Sequence, residues 1–213
     1  MSEALRQPQQ ERSHATLARI EQAAFALLAS GGWDAVTVNG IGRLVGVSRG
    51  AFYSRFPSRE ALLDFVRERY HEALNEAEQS AFALVDPQAT RDLAVVVTDA
   101  VTAVAVVVER FGPIMMHLRD NPAERRSSGL ARSILFERYR RVVLAAADQI
   151  THPDSELAVA VTFRVVFETL AFSVHDPLSV PLPLRHTPDQ HRAELASMVL
   201  AYLTTTPPTR GTP

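Results

Sequence analysis

The chain has 213 residues, a formal net charge of −2, 46% hydrophobic residues and no cysteine. That length fills one large core or two modest ones, and the missing cysteine excludes disulfides, thiolate zinc sites and cysteine nucleophiles. The near-neutral balance excludes a nonspecific nucleic-acid coat protein, so any DNA-binding charge is local; all 22 basic residues are arginine, whose planar fork suits phosphate and guanine.

The N-terminus, MSEALRQPQQERSHATLAR, is polar and has no apolar signal or anchor segment. Residues 1–12 read as a disordered arm. A helix is predicted over about 13–30, with Ala23, Ala24, Phe25 and Leu28 on its apolar side, and Gly31-Gly32-Trp33 links it to Thr37.

The segment Thr37–Arg59, TVNGIGRLVGVSRGAFYSRFPSR, reads as two short helices around a tight Gly-Val-Ser turn, with a third opening after Phe56-Pro57. Thr37 is placed to cap the first helix, and Ile41 and Leu44 give that helix an apolar side. Gly46 falls where the helix ends in the left-handed conformation that glycine adopts without a Cβ penalty. Val47 plugs the turn into the core. Ser48 caps a second helix, Ser48 to Phe56, in which Phe52 and Phe56 share an inward face while Arg49, Tyr53 and Arg55 point outward. Pro57 stops it and Ser58 caps the next helix. This is the outline of a helix-turn-helix, which places its second helix in the major groove of DNA. Arg43, Arg49, Arg55 and Arg59 lie in a stretch without an acidic residue, a basic stripe in a nearly neutral chain.

The run Gly46–Leu62, GVSRGAFYSRFPSREAL, together with the preceding helix and its glycine-aromatic link to Thr37, resembles the signature of the TetR family of bacterial transcriptional regulators. The resemblance covers roughly the first seventy residues. It implies an all-α fold, a three-helix head on a larger helical body. Two departures stand out: Gly40 and Gly42 occupy positions where the family carries helix formers and an alanine, and Arg59 stands where it usually has lysine. Gly42 is expected to permit close approach of the motif's two helices; nothing in the sequence accounts for Gly40. The expected DNA contacts are Arg49 to a base, Thr37, Tyr53 and Arg59 to phosphates, and Arg55 to either. Ser48 and Gly50 bring backbone N–H groups towards the DNA, with Ala51 on the same helix.

The body follows. A long helix from Ser58 to about Leu84 turns acidic at Glu72, Glu76 and Glu78 and ends at Asp86-Pro87. Thr90–Arg110 has the valine runs of a buried strand, but its length, its alanines and the implied all-helical body favour a buried helix. Phe111-Gly112-Pro113 is expected to break it before a short helix, Ile114–Arg119. Helices are predicted at Ser127–Ile150, Ser155–Val174 and about Asp189–Tyr202, with a proline-rich loop, 176–188, between the last two. The domains are therefore an arm (1–12), a DNA-binding domain (13–57), a ligand-binding and dimerisation domain (58–204) and a disordered tail (205–213).

The last two helices are apolar nearly all round, and Val161, Val165, Phe172, Leu195, Val199 and Tyr202 are the expected face of a homodimer. The resemblance implies the same use of these helices, and two heads reading a pseudo-palindromic operator require a dimer. Phe111, Met115, Met116, Phe136, Tyr139, Phe163 and Phe167 are the candidates for an apolar effector pocket, with His117 as a polar handle; the small-molecule effector itself is not named by the sequence. No metal-ligand spacing, phosphate loop or nucleophile elbow occurs, so the expectation is a non-enzymatic cytoplasmic protein without cofactor, metal or membrane. The competing reading is a helical ligand- or partner-binding module whose head docks protein rather than DNA.

Overall fold

The computed structural model describes the backbone of residues 3–83, 85, 92–120, 125–175 and 187–205. Among them are eight α-helices and no strand: α1 (Glu3–Ala35), α2 (Val38–Val45), α3 (Arg49–Tyr53), α4 (Arg59–Ala83), α5 (Leu93–Asp120), α6 (Arg125–Leu144), α7 (Ser155–His175) and α8 (Pro188–Thr204). The expected all-α class is what the chain adopts. It divides into two compact units, Met1–Leu74 with Pro113–Arg125, and Asn75–Gly112 with Arg126–Pro213.

In the first unit, Ile20, Ala24 and Leu28 of α1 are buried with Ile41 and Val45 of α2, Phe52, Phe56, and Leu62, Val66 and Tyr70 of α4. The ring centroids of Phe52 and Phe56, and of Phe56 and Phe65, are both 5.2 Å apart, so the two phenylalanines four apart do share an inward face. Residues 3–12, read as an arm, belong to α1, which also runs past its expected end at Ser30 through a kink at Gly31 and Gly32. The kink turns Trp33 inward, where the Arg67 guanidinium lies 4.8 Å from its ring centroid. Arg69 donates to Glu21 at 3.0 Å and ties α4 to α1.

In the second unit, α5 settles the tension between valine propensity and helix length in favour of the helix. Val97, Ala100, Val101, Val104 and Val108 are buried at helical spacing, while Val95 and Val106 face out. Asp92 caps it, its carboxylate accepting from the Ala94 amide at 2.8 Å. The expected break at Phe111-Gly112-Pro113 does not occur: α5 continues through Pro113 to Asp120, and the boundary between the units falls at Gly112/Pro113. Proline removes one backbone hydrogen bond but not the burial of Phe111, Ile114 and Leu118 around it.

Helix α6 stops at Leu144 rather than Ile150, and a 3-10 turn, Ala147–Gln149, follows. The Gln149 carboxamide accepts from the Leu93 amide at 2.9 Å, and the amides of Thr151 and His152 both donate to the Leu203 carbonyl at 3.1 Å. These bonds fasten the connection between α6 and α7 to the start of α5 and the end of α8. Helix α8 begins with a complete capping box between Thr187 and Gln190. Glu78, in the part of the long helix that turns acidic, is 1% exposed and paired with Arg138 of α6 at 3.3 Å. Burial pushes its carboxyl up to about 7, against the pull of the Arg138 charge. Most of the 176–188 loop and the tail beyond Thr205 lie outside the described residues.

Candidate nucleic-acid interface

Local chemistry builds the α2–turn–α3 unit. The Thr37 hydroxyl accepts from the Gly40 amide at 3.0 Å and caps α2. Gly46 ends α2 in the left-handed conformation (φ 70, ψ 27), its N–H donating to the Gly42 carbonyl at 2.9 Å. The Arg19 guanidinium reaches from α1 to the Val45 carbonyl, holding the same helix end. The Ser48 hydroxyl then accepts from the Ala51 amide at 3.3 Å and opens α3. Helix α3 ends at Tyr53, not Phe56; the amides of Arg55 and Phe56 fold back on the Phe52 carbonyl at 2.9 and 3.0 Å. Ser58 caps α4 through the Ala61 amide at 3.1 Å. The Glu60 carboxyl beside it is held below the usual range, mainly by its own backbone N–H and then by the Ser58 hydroxyl.

Two details of the motif differ from the expected arrangement. Leu44 is 60% exposed and Val45 is the buried residue of that turn. The glycines exchange roles. A Cβ on Gly42 would stand 3.5 Å from the Val47 carbonyl, an ordinary contact, so close approach does not require glycine there. A Cβ on Gly40 would meet the Thr37 hydroxyl at 3.0 Å, Leu27 at 3.2 Å and the Ala35 carbonyl at 3.4 Å. The close approach is at Gly40, where α2 packs on α1.

Ser48, Arg49, Gly50, Ala51, Tyr53 and Arg59 are exposed, and Thr37 and Arg55 are half-buried. The Tyr53 ring stands edge-on to Phe52, with centroids 6.2 Å apart. Arg59 is also a structural tie, donating from Nη2 to the Trp33 carbonyl at 3.2 Å. Arg49 donates from Nη2 to Oδ1 of Asn39 at 3.0 Å, and Arg43 donates from Nε to the Asn39 carbonyl at 3.3 Å. These residues edge a groove of about 480 Å³ between α2 and α3, lined by Val38, Asn39, Gly42, Arg43, Val47, Arg49 and Phe52. Asn39 and Arg19 were not sequence candidates: their partners lie 10 and 26 residues away, and no local pattern marks either pair.

The expected dimer face separates into two sets. Val161, Val165, Phe172 and Tyr202 are exposed, but Leu195 and Val199 are 4% and 3% exposed and belong to the chain's own core. Leu157 of α7 and Met198 of α8 are exposed as well. The effector candidates divide between the two units: Phe111, Phe136, Tyr139, Phe163 and Phe167 in the second, Met115, Met116 and His117 in the first. Of Met116 only the backbone is described. In the second unit Phe163 packs against Phe136, Tyr139 and Phe167, with centroids 5.3, 5.5 and 5.8 Å away. The Tyr139 hydroxyl donates to Thr162 at 3.3 Å, and burial pushes its pKa up to about 12. An open groove of about 770 Å³ runs elsewhere along α6, past Ser133, Glu137 and Arg141. Among the described residues no group of His, Asp or Glu is placed to hold a metal, and no helix is long and apolar enough to cross a membrane.

Residues 20–66 match the sequence profile of the bacterial regulatory proteins, tetR family. No curated protein matches the chain. Among solved structures it is similar to a protein from Mesorhizobium loti assigned to the TetR-family transcriptional regulators, at 21% identity and a TM-score of 0.62 over 90% of this chain and 96% of that one. A bacterial regulatory protein in the tetR family from Rhodococcus RHA1 is 18% identical, with a TM-score of 0.57 over 88% of this chain and 96% of its own. The TetR family transcriptional regulator PfmR from Thermus thermophilus is 19% identical, with a TM-score of 0.55 over 85% of this chain and 97% of its own. At these identities the likeness is one of fold.

Proposed function

We propose that this chain, whose residues 20–66 match the profile of the bacterial regulatory proteins, tetR family, and whose fold is all-α, is a dimeric, sequence-specific transcriptional repressor. The observation that carries this reading is the exposed arginine face of the helix-turn-helix. Arg43, Arg49 and Arg59 reach solvent there beside Tyr53, with no carboxylate between Arg43 and Arg59. In this reading Arg49 bonds guanine from the major groove, and Tyr53, Thr37 and Arg59 hold phosphates. Arg55 adds a base or phosphate contact, with the backbone of Ser48, Gly50 and Ala51 close to the DNA.

The dimer forms through the exposed stripe of α7 and α8, where Leu157, Val161, Val165 and Phe172 recur on one side of α7 and Met198 and Tyr202 stand out from α8. Release follows when a small apolar or amphipathic effector binds one state better than the other, for which about 1–3 kcal/mol of coupling is typical. The aromatic set Phe136, Tyr139, Phe163 and Phe167 supports such a site in the second unit, with Phe111 of the same unit as a further candidate. The reading places the protein in the cytoplasm, with double-stranded DNA, a second copy and the effector as partners and no catalytic role.

The test is a mobility-shift titration with DNA flanking the protein's own gene, at two salt concentrations, for the wild type and Arg49→Ala. Specific binding that weakens with salt is expected, with about 1–3 kcal/mol of discrimination lost at one position per half-site in the variant. Unchanged preference in Arg49→Ala removes the base-readout assignment. Failure to bind any DNA would point to the head as a protein-docking module.

A further inference from the structure

Helix α2 carries an asparagine, Asn39, in its first turn, exposed and making no contribution to the core. Asparagine is a weaker helix former than alanine, so the position is not explained by α2 itself. Its polar atoms instead serve two arginines of the basic face. Oδ1 accepts from Nη2 of Arg49 at 3.0 Å, across the turn from one helix of the motif to the other, and the main-chain carbonyl accepts from Nε of Arg43 at 3.3 Å. Both arginines and Asn39 line the same groove, with Phe52 in its wall.

An unrestrained arginine samples many rotamers, and bidentate reading of guanine needs two N–H groups in one plane at one orientation. The guanidinium carries five N–H donors, and the bond to Asn39 engages one. We propose that Asn39 is a positioning residue for DNA readout: its carboxamide oxygen holds the Arg49 guanidinium across the α2–α3 groove, so that the remaining donors meet a guanine edge already oriented. The inference rests on the reading of Arg49 as the base-contacting arginine. It adds a residue on α2, outside the recognition helix, that sets the sharpness of recognition without itself touching a base.

The test uses duplexes enriched by the full-length wild-type protein from a randomised pool, together with their single-base variants. Binding is measured for the wild type, Asn39→Ala, Arg49→Ala, the double variant and Asn39→Asp, each checked for unchanged helical content. Asn39→Ala is expected to lower discrimination about threefold to tenfold at the position that Arg49→Ala abolishes, a fraction of what an arginine–guanine pair supplies. It should leave the salt slope unchanged, because no phosphate contact is lost. In the Arg49→Ala background it should have no further effect. Asn39→Asp keeps the acceptor, so discrimination should survive while binding to every sequence weakens through the added negative charge.

Equal weakening of all sequences by Asn39→Ala, or an effect that adds in full to that of Arg49→Ala, would overturn the positioning role. So would loss of discrimination in Asn39→Asp equal to that in Asn39→Ala. If Arg49→Ala alone leaves the preference intact, or the pool yields no preferred sequence, the base-readout reading fails first. Those results need no change at residue 39, so the two failures are distinguishable.

Discussion

The Gly40 amide donates to the Thr37 hydroxyl at 3.0 Å, and a Cβ placed on Gly40 would meet that same oxygen at 3.0 Å. That corner is tight, because the bare backbone of Gly40 also lets α1 approach: a Cβ there would stand 3.2 Å from Leu27 and 3.4 Å from the Ala35 carbonyl.

Alanine at the two α2 glycines should consequently act in opposite directions. Gly42→Ala adds a methyl in ordinary contact and removes a helix-interior glycine, so stability should rise by about 0.5–1 kcal/mol. Gly40→Ala should lower stability by about 1 kcal/mol, because crowding of the methyl against Thr37, Leu27 and the Ala35 carbonyl outweighs the same helix gain. Chemical denaturation midpoints measure both; equal shifts of the same sign would show that α1 gives way to a side chain at residue 40.

Arg59 and Tyr53 are both proposed to hold phosphates, but of the two Arg59 also holds the end of α1, through the Trp33 carbonyl at 3.2 Å. Arg59→Ala should weaken binding to all DNA sequences alike, flatten the salt dependence and lower stability by about 0.5–1.5 kcal/mol. Tyr53→Phe should weaken DNA binding with the melting temperature unchanged, since the ring keeps its place against Phe52 and only the hydroxyl is lost. Melts paired with binding titrations at two salt concentrations separate the two effects.

The apolar residues of α7 and α8 give a matched contrast. Val165 is 43% exposed and Leu195 is 4% exposed. Val165→Asp should leave the monomer fold intact and shift sedimentation from dimer to monomer at micromolar concentration. Leu195→Ala should instead cost about 2–5 kcal/mol of folding stability through the cavity it leaves in the core. A monomeric wild type at that concentration would remove the dimer from the proposed mechanism.

Glu78 makes stability depend on pH in a defined direction. Its carboxyl is raised from 4.5 to about 7 by burial, so the folded chain holds the proton more tightly than the unfolded chain. The stabilisation is complete below about pH 4.5 and is lost as pH rises through about 7, for a total on the order of 1–3 kcal/mol. The melting temperature of Glu78→Gln should therefore fall less than that of the wild type between pH 5 and pH 8. Parallel pH profiles for the two proteins would show that Glu78 remains ionised beside Arg138 across that range.

Features closed within three or four residues were legible in the chain. The caps at Thr37, Ser48 and Ser58, the left-handed Gly46 and the shared face of Phe52 and Phe56 follow from side-chain chemistry and helical spacing. These fixed the helix-turn-helix and, with it, the resemblance to TetR regulators. Features that depend on which surface meets which were decided only in three dimensions. Apolar residues fall on more than one side of α8 and of the last turn of α2, so periodicity did not distinguish inward Val45 from outward Leu44, or core Leu195 and Val199 from outward Met198. Pro113 signals a break, yet burial of the residues around it keeps α5 continuous. Gly40 and Gly42 are the same residue to a propensity scale, and only the approach of α1 made one of them necessary. The Asn39–Arg49 bond likewise needs the turn to be folded before its two ends are neighbours.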